Sequence, residues 1–223
     1  MKSSTLILHD SHPDGLPMVV GCPFKTADAT GAFNAAQIEF ADGSSTRAQG
    51  HVLNPVDRDG AQWIELSFCA KAGGRATATL LMNEPASDVD LAQATEWGAF
   101  LQNEFVRVSL DARPDRPPLS FEWRKSAAMP WKPMGSLTPE VLSEQELATV
   151  GHGVRKIQVL RNGPIRGQIE ICGSLTTRPA CQSAGREGKP SLNYRLTVEL
   201  WAGFDSARVD WRLSHQAPGV PAF

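Results

Sequence analysis

Apolar and polar residues alternate with a period of two along several stretches of the chain. Ala36, Ile38 and Phe40 alternate with Gln37 and Glu39; Ile64, Leu66 and Phe68 with Trp63, Glu65 and Ser67; Val106, Val108 and Leu110 with Phe105, Arg107 and Ser109. Further along, Ile165, Ile169 and Ile171 oppose Arg166, Gln168 and Glu170. Leu192, Tyr194, Leu196, Val198 and Leu200 oppose Asn193, Arg195, Thr197 and Glu199, and Val209, Trp211 and Leu213 oppose Arg208, Asp210 and Arg212. Successive side chains of a strand point to opposite faces, so each run predicts a strand with one buried and one polar face. Turn-forming stretches lie between them: Ala41-Asp42-Gly43-Ser44, Arg58-Asp59-Gly60, Arg161-Asn162-Gly163-Pro164 and Ala202-Gly203-Phe204-Asp205. One-sided burial belongs to antiparallel sheets, and strands at this spacing predict an all-β barrel or sandwich.

Helix signals are few. Thr138-Pro139-Glu140 supplies an N-cap, a first-turn proline and an acidic residue, predicting a short helix through Val141, Leu142 and Leu147 that ends before Gly151. A weaker candidate runs from Asp88 to Trp97. Residues 111–136 are rich in proline and read as an extended connection or edge decoration, because proline cannot sit in a central strand. The glycines of Lys71-Ala72-Gly73-Gly74-Arg75 suggest a junction there. The expected organisation is a small β-barrel over residues 1–74 and an antiparallel β-sandwich over 75–223.

Composition narrows the classes. With 22 basic and 24 acidic residues the net charge is −2, which argues against a dedicated nucleic-acid binder. No apolar run reaches the ~20 residues of a membrane span, so no membrane partner is expected. The N-terminal apolar stretch Leu6-Ile7-Leu8 is too short for a secretory signal, and the expected location is cytoplasmic. Cys22, Cys69, Cys172 and Cys181 have no paired C-x-x-C spacing, and no metal or other cofactor is expected. Cys69 and Cys172 read as buried inert thiols; export of the protein would allow Cys172 and Cys181 to close a hairpin as a disulfide.

Chemical motifs are sparse: there is no Gly-rich phosphate loop, G-x-S-x-G, H-E-x-x-H or calcium loop. His9 and His12 read as loop residues and His152 as a hairpin tip, while His215 follows the last strand and stays open for function. Glu65, Glu170 and Glu199 fall on polar strand faces, where a solvated surface is the default. Six tryptophans against one tyrosine invert the usual ratio. Trp63 sits on the polar side of its strand, and Trp97, Trp123 and Trp131 in or near irregular segments. Exposed indoles stack on the apolar C–H faces of sugars; the alternative is that they cover a sheet face or a neighbouring domain.

Several short motifs occur in a telling order. Gly21-Cys22-Pro23-Phe24 is followed by Ala36-Gln37-Ile38-Glu39-Phe40-Ala41-Asp42-Gly43, by Ala48-Gln49, and by Asp59-Gly60-Ala61-Gln62-Trp63-Ile64-Glu65-Leu66. They resemble the N-terminal RIFT-type β-barrel of the exo-acting rhamnogalacturonan lyase family, with its G-x-P-F opening, D-x-G hairpin, following glutamine and D-G-S-x-[KR]-W strand. Asn162-Gly163-Pro164-Ile165-Arg166-Gly167-Gln168-Ile169 and the run from Tyr194 through Trp201-Ala202-Gly203 to Arg208-Val209 resemble that family's central β-sandwich. The strand at Asp59–Trp63 lacks the family's serine and basic residue.

In that family an α/α toroid follows the β-domains, and the resemblance implies that the lyase site belongs there. Lyase chemistry needs a base and a group that neutralises the uronate carboxylate. Tyr194, Arg195 and His215 are of suitable types, but their spacing does not bring them together, and no catalytic residue is carried over. The expected function is a non-catalytic β-region of a polysaccharide lyase-like protein, a truncated or divided gene product whose helical toroid is encoded downstream. Alternatives are a stand-alone carbohydrate-binding accessory protein and a structural interaction module. The expected partner is a polysaccharide or oligosaccharide, contacted through Trp63, Trp123, Trp131, Tyr194, Arg195 and His215.

Overall fold

The structure, a computed structural model, describes residues 2–8, 15–25, 36–53, 61–70, 74–80, 90–140, 147–179 and 189–215. Fifteen strands and no helix form among them, in antiparallel sheets, so the chain is all-β. It divides into two compact units, Met1–Asp90 with Gly163–Arg166, and Leu91–Asn162 with Gly167–Phe223.

The first unit is one six-stranded sheet of β1 (Lys2–Leu8), β2 (Pro17–Lys25), β3 (Ala36–Phe40), β4 (Ser45–Val52), β5 (Ala61–Cys69) and β6 (Gly74–Leu80). Its order, β1-β6-β3-β4-β5-β2, curls until the end strands approach each other, giving a nearly closed barrel. Ala36, Ile38 and Phe40 turn inward as the alternation requires, with Ile64, Leu66 and Phe68 beside them. The division at Asp90 falls beyond the junction expected at residue 74. The reason is β6, which pairs with both β1 and β3 and buries Ala76, Ala78 and Leu80. Its inward positions are mostly alanine, a weak apolar signal.

The second unit stacks two sheets. One has the order β11-β10-β9-β8-β7, from β7 (Ala92–Thr95), β8 (Gly98–Gln102), β9 (Val106–Asp111), β10 (Leu119–Trp123) and β11 (Lys132–Leu137). The other runs in sequence order through β12 (Leu147–Arg161), β13 (Arg166–Pro179), β14 (Lys189–Trp201) and β15 (Ala207–His215). Leu101, Val108 and Leu119 from the first sheet share a core with Ile169, Ile171, Leu196 and Val198 from the second, which makes the unit a sandwich. Asn103 fastens the ends of the two sheets. Its Nδ2 donates to the carbonyls of Trp201 and Phe204, both at 2.7 Å, and its Oδ1 accepts from Phe105 N–H and Val106 N–H, both at 2.8 Å.

Four sequence expectations change here. The proposed helix Asp88–Trp97 is strand β7 and a hairpin tip from Ala92 onward, because Leu91 and Ala92 are needed in the sandwich core; Asp88 lies outside the described residues. The helix from Thr138 passes into residues 141–146, also outside them, and Leu147, within its expected span, begins β12. His152 pairs with Leu175 inside β12 instead of capping a hairpin. Within residues 111–136, β10 is a proline-free inner strand, whereas Pro133 lies on edge strand β11, where its missing N–H costs no ladder bond.

The return of the chain to the first unit at Gly163–Arg166 rests on one side chain. Gln49, 5 % exposed, accepts from Ile165 N–H at 3.1 Å and Arg166 N–H at 2.8 Å through Oε1, and donates from Nε2 to the Arg166 carbonyl at 3.0 Å. A Cβ on Gly163 would meet the Gln49 amide at 2.5–2.8 Å, so a side chain there would push the amide off the bonds it makes. The buried Arg166 guanidinium reaches Glu65 Oε1 at 3.0 Å. Gln49→Ala removes a bond from each of three buried or half-buried backbone groups, at about 1–3 kcal/mol each before relaxation. Urea denaturation is expected to show a loss of about 2–4 kcal/mol, similar to the cavity cost of Ile169→Ala in the other unit.

Candidate functional site

The six residues singled out by sequence do not form one site. Trp63 projects from β5 of the first unit, 43 % exposed, its ring lying near Gly21 and Leu53. Trp123 is on the inner face of β10, opposite Val106, and packs against the sandwich core, so its indole is not a surface platform. Trp131 is half-buried, and the guanidinium groups of Arg107 and Arg124 stand over its ring at 4.6 and 4.1 Å. Those cations already use the π surface a sugar would need. Arg195 pairs with Glu170 at 3.3 Å on the polar face of the four-stranded sheet. His215 ends β15 opposite Leu192, and its side chain lies outside the described residues.

Tyr194 is the clearest correction among these candidates. It occupies the apolar phase of β14, is 2 % exposed, and lies against Gly173, where any Cβ would strike the phenol ring. Its ring centroid is 6.4 Å from that of Trp211. The hydroxyl has no hydrogen-bond partner among the described residues, and burial pushes its pKa up to about 12. Burial also pushes Cys22 up to about 11 and raises Cys69 and Cys172, the latter with help from Glu170; all three are free thiols of low reactivity. Cys181 lies outside the described residues.

The surface feature with chemical variety is elsewhere, on the outer face of the five-stranded sheet. The two-residue tip Glu96-Trp97 joins β7 to β8, with Thr95 opposite Gly98. A Cβ on Gly98 would collide with the Leu110 carbonyl, so glycine lets β8 close on β9 and fixes where the tip begins. The Trp97 carbonyl accepts from Ala112 N–H at 2.8 Å, holding the tip to the end of β9. The indole is left 55 % exposed.

Facing it is the β9–β10 connection. Asp111 Oδ1 accepts from Arg113 N–H at 3.0 Å, and Pro114 sits second in a turn closed by Arg116 N–H on the Arg113 carbonyl at 3.3 Å. Proline presets the backbone angle that such a turn needs. The Arg113 guanidinium grips both Asp111 oxygens, with Nε at 2.9 Å from Oδ1 and Nη2 on Oδ2. This fork holds the Asp111 carboxyl below the ordinary carboxylate range. Between tip and connection lies a groove of about 390 Å³, whose lining also includes Phe100, Ser109, Ser120 and Arg116. The Arg116 guanidinium makes no hydrogen bond among the described residues.

An exposed indole beside hydroxyls and a fixed ion pair offers both an apolar plate and oriented donors and acceptors. Sequence reasoning noted Trp97 but placed it in a helix, and read the Asp111–Pro118 run as a spacer. The available signal was the dipeptide Trp97-Gly98 between two short apolar runs. Among the described residues no three His, Cys, Asp or Glu side chains cluster to hold a metal, and no helix is long and apolar enough to cross a membrane.

The chain is similar in structure to an α-mannosidase from Enterococcus faecalis V583. The match covers 95 % of this chain at a TM-score of 0.50 and 10 % identity. It is a likeness of fold, and the chain spans 29 % of that enzyme's length. No family model matches the chain, and no curated protein matches its sequence.

Two titrations check this electrostatic description. By carbon NMR, Asp111 is expected to titrate below the ordinary carboxylate range in the native protein and to move back toward it in Arg113→Ala; the pair's contribution is present above the unfolded pKa and lost as pH falls through the folded one. The protein has one tyrosine, so its ultraviolet absorbance isolates Tyr194. No phenolate is expected near pH 10, and ionisation should centre on about 12. Because the folded pKa is the higher, this group's contribution is complete below about 10 and declines as pH rises from there.

Proposed function

We propose that the chain is a non-catalytic β-region of a carbohydrate-active protein, and that it contacts saccharide through the Trp97 groove. The observation that carries this reading is the exposed indole set against the Asp111–Arg113 fork. A pyranose ring lays its C–H face on an indole, while its hydroxyls donate to a carboxylate and accept from a guanidinium. The fold likeness to part of an α-mannosidase supports the carbohydrate setting.

The finer assignment is the one the motifs resemble: the RIFT-type barrel and sandwich of a polysaccharide lyase acting on rhamnogalacturonan or related pectic chains. Arg116, whose guanidinium makes no hydrogen bond among the described residues, supports it, since a guanidinium beside the platform suits a uronate carboxylate. A non-catalytic role is supported by the charge state of Asp111. A general acid needs a raised pKa, whereas Arg113 lowers this one. Glu65, Glu122 and Glu170 are each engaged in an ion pair, with Arg166, Arg107 and Arg195 respectively. In this reading the acid–base groups come from another part of the assembly, such as a helical toroid.

The test has two arms. Incubated with rhamnogalacturonan, the purified chain is expected to release no unsaturated product, as followed by ultraviolet absorbance. Titrated with galacturonic acid oligomers, it is expected to show quenched tryptophan fluorescence, and Trp97→Ala should weaken binding about tenfold or more, as for other anchor residues. Steady turnover would overturn the non-catalytic role. Undiminished binding in Trp97→Ala would remove the groove from it.

A further inference from the structure

The tip that carries Trp97 borders a second hollow. It measures about 270 Å³ and is lined by Thr95, Glu96 and Trp97 on one side and by Val154, Lys156 and Ile157 of β12 on the other. Thr95, Glu96 and Trp97 therefore line both this hollow and the groove over the outer sheet face. The two belong to the same compact unit and share the indole as a wall.

We propose that the two hollows are one bipartite site that takes two consecutive rings of an acidic oligosaccharide, one on either side of the Trp97 tip. This rests on the saccharide reading above and adds the length and charge pattern of the ligand. Size is the first argument. The groove alone reaches the ~300–1,000 Å³ usual for small-ligand sites and the smaller hollow does not, so the smaller one reads as an extension of the groove and not as a site of its own.

Charge is the second argument. In the groove, Arg113 is committed to Asp111, and Arg116 is a second cation whose guanidinium makes no hydrogen bond among the described residues, although its charge also acts on Asp111. In the second hollow the cation is Lys156, exposed and without an ion pair among the described residues. One cation with hydrogen-bonding capacity to spare in each hollow matches one carboxylate on each ring of a uronic acid chain. Glu96, shared by both, stands where hydroxyls of adjoining rings would donate to it. A site for a single terminal ring would use neither Lys156 nor the far side of the tip.

The experiment is calorimetric titration with galacturonic acid and digalacturonic acid, and with mannose and mannobiose as neutral counterparts. Digalacturonic acid is expected to bind about tenfold tighter than the monomer. Lys156→Ala should bring that ratio toward one, while Arg116→Ala should weaken both acidic ligands; both side chains are exposed, so unchanged thermal unfolding verifies the folds. Equal affinity for monomer and dimer, or a ratio unaffected by Lys156→Ala, overturns the two-ring site and leaves the saccharide reading standing. Tighter binding of mannobiose than of digalacturonic acid overturns the charge assignment. If none of the four sugars binds the unmodified chain, the saccharide reading fails and this inference with it.

Discussion

The amide of Gln49 is the constraint on which the path of the chain depends. Residues 163–166 belong to the first compact unit although the residues on both sides of them belong to the second. A short loop brought into a protein interior carries backbone donors and acceptors that water no longer serves. Gln49 meets two N–H groups and one carbonyl of that loop. Gly163 provides the space, and the Arg166–Glu65 pair neutralises the charge that comes with the loop. The two segments that resembled a known family in sequence, one at Gln49 and one at Asn162–Ile169, are thus partners in a single buried network. Isolated short motifs gain physical meaning when they prove to satisfy each other.

Alternation was legible wherever the ladder ran without interruption. β3, β5, β9 and β14 bury the residues their period-two pattern marks. β12 was hidden because its register shifts three times against β13, at Thr149/Gly151, Val154/Lys156 and Val159/Arg161, and each shift moves the next side chain to the other face. β7 was hidden by its length of four residues and its alanines. Ile165 was grouped with Ile169 and Ile171 by spacing, yet it lies in the returning loop, before the sandwich portion of β13 begins.

The candidate site was less legible than the fold. Tyr194 drew attention for its chemistry, but its place in the apolar phase already put it inside, and Gly173 confirms how closely the sheet receives it. Trp123 followed the same rule one strand pair away, in phase with Leu119 and Phe121. Trp97 escaped because a tip residue belongs to no periodic pattern: its position is set by Gly98 and by a bond to Ala112. Binding residues on turns depend on such particulars, which no count of residue types contains.

The groove also shows why a β-sandwich can change its surface without losing its core. β9 gives Val106, Val108 and Leu110 to the interior and Arg107, Ser109 and Asp111 to the outer face. The apolar set is fixed by close packing, where even a lost methylene is felt. The polar set meets no such demand, so its identities are free to answer to a ligand. The ends of β9 are then tied down twice, by Asn103 where the strand begins and by the Asp111–Arg113 turn where it finishes. A stiff strand between two fixed ends holds the groove wall in place before any ligand arrives, and a binding site gains most from the reorganisation it does not have to undergo.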